Sequence, residues 1–133
     1  MCLRINRNQE PEIAKEPITC YKCLTRDMVS PCYRQEYKLG QLITSEFSIN
    51  KASYCDKVEK GLHSFAEESD AKRVARNFGW HDQINDYLGI SAPIVIKCEI
   101  PIGASYYKAV SDMVCVTYEY ASNQLLPLEI ISK

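Results

Sequence analysis

The sequence is poor in the residues from which phosphate and nucleotide sites are most often built. Five glycines are spread through 133 residues. No P-loop, dinucleotide-binding glycine pattern, EF-hand loop, H-E-x-x-H pair or nucleophile elbow is present. With so few glycines, a backbone loop that cradles phosphate is not expected. Neither sign of charge is in excess: 16 Lys+Arg face 17 Asp+Glu, a net charge of -1. That balance argues against a generally basic nucleic-acid binder and an acidic disordered tail. No apolar run approaches the ~20 residues of a membrane-spanning helix. The longest, Ile90 to Ile96, is interrupted by Ser91 and Pro93. The opening segment, Met1 to Glu16, has no apolar stretch of the kind that marks a signal peptide. The expected setting is therefore the reducing cytoplasm, with free thiols and no membrane association.

What is present is an ordinary globular composition, 46% hydrophobic and 25% charged. The length suits one domain that needs no disulfide staples. The seven cysteines are odd in number and read as small buried hydrophobes. Cys20 and Cys23 form a C-x-x-C, but Cys32 and Cys55, which would complete a zinc set, lie twenty-three positions apart. On a strand, positions 20 and 23 point to opposite faces, so no metal site is expected. The nine tyrosines are the compositional oddity. A tyrosine ring is apolar and its hydroxyl wants a partner, which suits half-buried strands and interfaces. Tyr21, Tyr106, Tyr107, Tyr118 and Tyr120 are the candidate binding residues.

The pattern along the chain predicts an α+β domain with a mostly antiparallel sheet and one or two helices in the middle, about 66–78 and 81–88. Residues 1–16 carry charge and little periodicity, and are expected to be loosely ordered; 17–133 form the domain. Strands are predicted over Ile18 to Leu24, Val58 to Phe65, Ile94 to Ile100, Met113 to Tyr120 and Leu125 to Ile131. Pro127 makes the last an edge or bulged strand. Ser45 to Asp56 is polar and reads as a loop. In the first helix, Ala71, Val74, Ala75 and Phe78 share one face, and Gly79 ends it.

Three residues are candidates for chemistry. On a strand, Leu62 and Ser64 share one face while His63 and Phe65 share the other. His63 reads first as a structural hydrogen-bonder. Glu119 alternates with Cys115 and Thr117, the more polar set, and is expected to face solvent.

Several landmarks in order resemble a loosely defined group of small uncharacterised phage and bacterial proteins. They are Tyr21-Lys22-Cys23, Tyr37 to Gly40, Glu59 to Phe65, the helix segment Ala71 to Ala75, Ile100 to Gly103 with Tyr106-Tyr107, and Tyr120 to Asn123. The resemblance covers most of Ile18 to Ile131. It implies a mobile-element origin, where small proteins often bind and block a host or rival component. A second likeness is to the ADP-ribosyltransferase fold. Gly61 to Ser64 followed by Asp70-Ala71 resembles that family's middle element, and Glu119 its late glutamate. Tyr21 stands where the family has Arg or His.

The leading expectation is thus a cytoplasmic, phage- or mobile-element-encoded protein that binds a protein partner, inhibiting a host defence system, and that could self-associate. It leans away from an enzyme and needs no cofactor. The alternative is an ADP-ribosyltransferase-like enzyme or a degenerate NAD-binding scaffold, with His63, Ser64 and Glu119 as its catalytic set and NAD as its cofactor. A third is a protein that sequesters a small ligand.

Overall fold

The computed structural model describes residues 3–30, 35–51, 55–79, 93–111 and 117–132. Two antiparallel sheets and one helix make up these segments. The small sheet holds β1 (Leu3–Ile5), β5 (Ser48–Lys51) and β6 (Asp56–Lys60), in the order β1-β6-β5. The large sheet holds β2 (Glu12–Ile13), β3 (Ile18–Leu24), β4 (Ile43–Thr44), β7 (Leu62–Phe65), β8 (Ile94–Ile100), β9 (Ser105–Ser111), β10 (Thr117–Ser122) and β11 (Gln124–Ser132). Its order is β2-β9-β10-β7-β3-β8-β11-β4. The helix α1 spans Glu68–Gly79.

β3 and β8 occupy the predicted ranges and pair over their full length, from Ile18↔Ile100 to Leu24↔Ile94. Both are rich in residues that suit a pleated surface, and both faces of this pair are covered. One face, here called the inner face, carries Cys20, Leu24, Ile96, Cys98 and Ile100, all fully buried in the main core. Ala14, beside β2 at one edge of the sheet, and Ile43, on β4 at the other, lie in that same core. The large sheet therefore curls over its inner face. β10 and β11 follow one another around Asn123 yet lie in different halves of the sheet. Asn123 pins this corner: its N–H donates to the Ser105 carbonyl at 3.0 Å, and its Oδ1 accepts from the Ser105 N–H at 2.9 Å.

The opposite, outer face is covered by two different layers. α1 contacts β3, β7 and β8. Its apolar stripe of Ala71, Val74 and Ala75 packs on Tyr21, Phe65 and Val95. Glu68 and Asp70 lie in its first turn and Arg76 in its last, complementing the helix dipole. Asp70 also pairs with Arg73 at 2.9 Å. The small sheet covers β9 and β10, with Leu3, Ile5 and Val58 packed on Tyr107 and Ala121.

Four expectations need correction. The N-terminal segment expected to be loosely ordered is tied into both sheets: β1 pairs with β6 and β2 with β9, and Leu3, Ile5 and Ala14 are buried. Its strands are three and two residues long, too short for alternation to show in sequence. Ser45 to Asp56, read as a loop, contains β5. Phe47 and Ile49 alternate inward there between polar neighbours. The strand read over Val58 to Phe65 is two strands in two sheets, with Gly61 between them. Glu119 does not face solvent. It is 5% exposed, while Tyr118 is 47% exposed. The second helix expected at 81–88 lies outside the described residues. Pro127 sits at a register shift in β11, as its missing N–H requires.

Gly61 makes the transfer between sheets possible. Its φ of +156° is a conformation that essentially only glycine adopts, and a Cβ there would come 3.2 Å from the Phe47 ring. Gly61→Ala is expected to cost about 1–3 kcal/mol. The readout is a lower urea midpoint at unchanged slope; an unchanged midpoint would remove Gly61 as the hinge between the sheets.

Candidate functional site

Strand alternation and register distribute the candidate residues over the two faces. Glu119 pairs with Phe65, Tyr120 with Ser64 and Ala121 with His63. Directly opposed residues share a face. His63 and Glu119 therefore lie on the outer face, two positions apart on neighbouring strands. Ser64 lies on the inner face with Tyr120. The three residues are not brought into one cleft.

His63 sits where the α1 layer meets the small-sheet layer. Its Nε2 is enclosed and has no hydrogen-bond partner. The Glu59 backbone carbonyl accepts from the ring. Burial, then the nearby positive charge of Lys22, pushes the imidazole down from 6.5 to about 4. Ser64 Oγ is buried without a well-formed hydrogen bond, although it lies close enough to the Cys20 thiol to favour its ionised form.

Lys22 lies in the inner core, 8% exposed. β3 and β7 are joined by one register pair, Tyr21↔Phe65, and beyond it they part. The Lys22 ammonium enters that gap, donates to the His63 carbonyl and lies 5.4 Å from the Tyr37 ring centre. Cys20 and Cys98 oppose one another directly on the same face. Burial pushes the Cys20 thiol up to about 11 and the Cys23 thiol up to about 12, and raises Cys98 further. Lys22 opposes this shift at all three without reversing it. These thiols are protonated at neutral pH and are poor nucleophiles. Cys20 and Cys23 point to opposite faces, Cys55 is half-buried before β6, and Cys32 lies outside the described residues.

The five candidate tyrosines separate in the same way. Tyr21 is on the outer face under α1. Tyr107 is buried beneath the small sheet, edge-on to Phe47 at 5.0 Å. Tyr106, Tyr118 and Tyr120 lie on the inner face of β9 and β10: Tyr120 belongs to the main core with Tyr106 packed against it, and Tyr118 is 47% exposed. Tyr106 and Tyr120 meet edge-on, 5.8 Å between centres and 75° between planes. Lys108, the cross-strand partner of Tyr120, holds its Nζ 5.7 Å from the Tyr118 ring centre and 5.6 Å from that of Tyr120. The Tyr106 hydroxyl bonds to the Glu12 carboxylate, and Glu67 and Glu12 both add negative potential at Tyr120. The alternation of Tyr118 and Tyr120 was visible in the sequence. The contributions of Tyr106 and Lys108 depend on the β9–β10 register, which no local signal encodes.

A separate shallow groove of about 350 Å³ is lined by residues 35, 36, 38 and 41–44, and none of the candidate residues faces it. Among the described residues no helix is long and apolar enough to cross a membrane. No protein-family model matches the chain, and no curated protein or solved structure shows significant similarity to it.

The enclosed His63 ring links stability to pH. Its folded-state value lies below its ordinary one, so the stabilising contribution is complete above about pH 6.5 and is lost as pH falls toward about 4. The full loss amounts to about 3 kcal/mol. Urea unfolding across this range should show wild type losing stability toward low pH more steeply than His63→Gln, which lacks the titrating ring. In Lys22→Met, the imidazole resonance should titrate at higher pH than in wild type. A histidine that titrates at its ordinary value in both proteins would contradict the enclosed placement.

Proposed function

We propose that this protein acts by binding a protein partner through the inner-face end of β9 and β10. The observation that carries this reading is the exposed Tyr118 beside Lys108, on the same face of a well-packed sheet as the Tyr106–Tyr120 ring pair. Tyrosines supply large contact area at little conformational cost and carry a hydroxyl for a polar partner. The rigid sheet behind them fixes their geometry before binding. A role in blocking a host defence component, as the resemblance to small phage proteins implies, is consistent with such a surface. The separation of Ser64 from His63 and Glu119 weighs against a shared catalytic cleft, since a nucleophile and its base must lie within hydrogen-bond reach.

A second reading, an ADP-ribosyltransferase-like or degenerate NAD-binding scaffold, draws on one observation: His63 and Glu119 share a face, and His63 Nε2 has no partner. It would require the layers over that face to separate.

Two measurements decide between them. Immobilised wild-type protein should retain proteins from host lysate that Tyr118→Ser does not, because Tyr118 is exposed and its loss leaves the core intact. Identical retention by both proteins would sink the partner-surface reading. A saturable thermal shift with NAD that Glu119→Gln abolishes would instead favour the scaffold; a ligand at a hundredfold excess over its Kd adds about 2.7 kcal/mol to stability. Light scattering of the purified protein distinguishes self-association from capture of a different partner.

A further inference from the structure

The edges of the two sheets are not built alike. At one end of the large sheet β2 carries Glu12 beside Pro11, and the outer strands of the small sheet, β1 and β5, carry Arg4 and Lys51. Charge and proline are devices by which edge strands avoid pairing with other chains. At the other end of the large sheet, β4 and the residues around it, Leu39 to Ser45, hold neither. This segment follows β11: the Gly40 N–H donates to the Pro127 carbonyl at 2.8 Å, and the Ser45 N–H to the Asn123 carbonyl at 2.9 Å. The second bond flanks the Thr44↔Gln124 pair, so Thr44 turns its own N–H and C=O away from β11, off the edge of the sheet. Alternation gives Leu42 the same direction. Both residues are exposed, Leu42 at 46%. The groove of about 350 Å³ opens beside them, and the one acid and one base that also line it, Glu36 and Lys38, balance each other in charge.

We infer that this edge pairs with the same edge of a second copy of the chain, antiparallel about a two-fold axis, and joins two large sheets into one. Leu42 of each copy opposes Thr44 of the other, and the backbone groups that both turn outward close two hydrogen-bonded pairs. Ile43 meets its own counterpart at the axis, and Gln41 meets Ser45. Every one of these contacts joins uncharged residues. That match selects a second copy as the occupant. A two-fold contact needs one patch that is complementary to itself, and an uncharged edge offering donors and acceptors from the same residues meets that condition. The paired stretch, 41–45, is short, so the dimer belongs to the weak, concentration-dependent class. The contact does not involve the tyrosines of β9 and β10 and does not rest on the partner-binding reading.

The register makes the inference testable. Sedimentation velocity of the full chain over about a hundredfold range of concentration, up to about 1 mM, should show monomer giving way to dimer. Leu42→Lys combined with Thr44→Lys sets like charges opposite one another across the axis and should leave monomer at every concentration. Leu42→Lys combined with Thr44→Glu sets opposite charges there and should restore the dimer. Both positions are exposed, so the fold tolerates these changes, and circular dichroism checks it. Tyr118→Ser should dimerise as wild type does, which separates this contact from the proposed partner surface. Wild type that stays monomeric throughout overturns the inference, and so does a dimer that survives the paired lysine substitutions or is lost with Tyr118→Ser. Failure of the lysine–glutamate combination to restore the dimer overturns the strand pairing as its basis.

Discussion

A lysine buried in the main core sits at the seam on which the large sheet depends. β3 and β7 share a single register pair, so backbone hydrogen bonding alone barely connects the two halves of the sheet. The Lys22 ammonium spans the gap beyond that pair by donating to the His63 carbonyl. Burying an ammonium costs several kcal/mol unless hydrogen bonds and nearby electron density replace its water. The carbonyl and the Tyr37 ring contribute to that replacement. The charge also reaches beyond its contacts. It disfavours protonation of His63 on the other side of the sheet and moderates the effect of burial on three cysteines. One residue thus couples the closure of the sheet to the ionisation of its interior.

The curl of the sheet explains which parts of the fold were legible in sequence. β3 and β8 are central, covered on both faces, and consist of contiguous β-favouring residues bounded by prolines or turns. Their limits could be read directly. α1 was legible because Ala71, Val74 and Ala75 repeat at helical spacing. The passage from β6 to β7 was not, because Val58 to Phe65 reads as one extended run with a glycine inside it, and nothing local says that the chain changes sheets there. Short strands β1, β2 and β5 owe their state to pairing partners fifty or more positions away or to a hairpin packed on Tyr107. For strands this short, tertiary packing decides what local propensity cannot.

The orientation of Glu119 failed for a related reason. Alternation assigns residues to two faces but does not say which is wet. Polarity pointed outward for Glu119, yet its face of β10 lies between Phe65 under the helix and Ala109 under the small sheet. The wet end of the strand belongs to Tyr118. The candidate site was therefore legible as a residue type, an excess of tyrosine, and only partly as a place. Three of the five chosen tyrosines share it, and the other two are core residues of different layers.

The same alternation that gathers the tyrosines divides the polar trio. Neighbours on a strand, such as His63 and Ser64, point apart, so a strand cannot by itself present both to one substrate. A catalytic pair on sheets is built from residues on different strands or two apart on one strand. Tyr118 and Tyr120 satisfy that rule, and the β9 register adds Tyr106 and Lys108 to their face. These groups offer rings, hydroxyls and an ammonium on a rigid support. That is the character the proposed partner surface requires, and it differs from that of the divided polar trio.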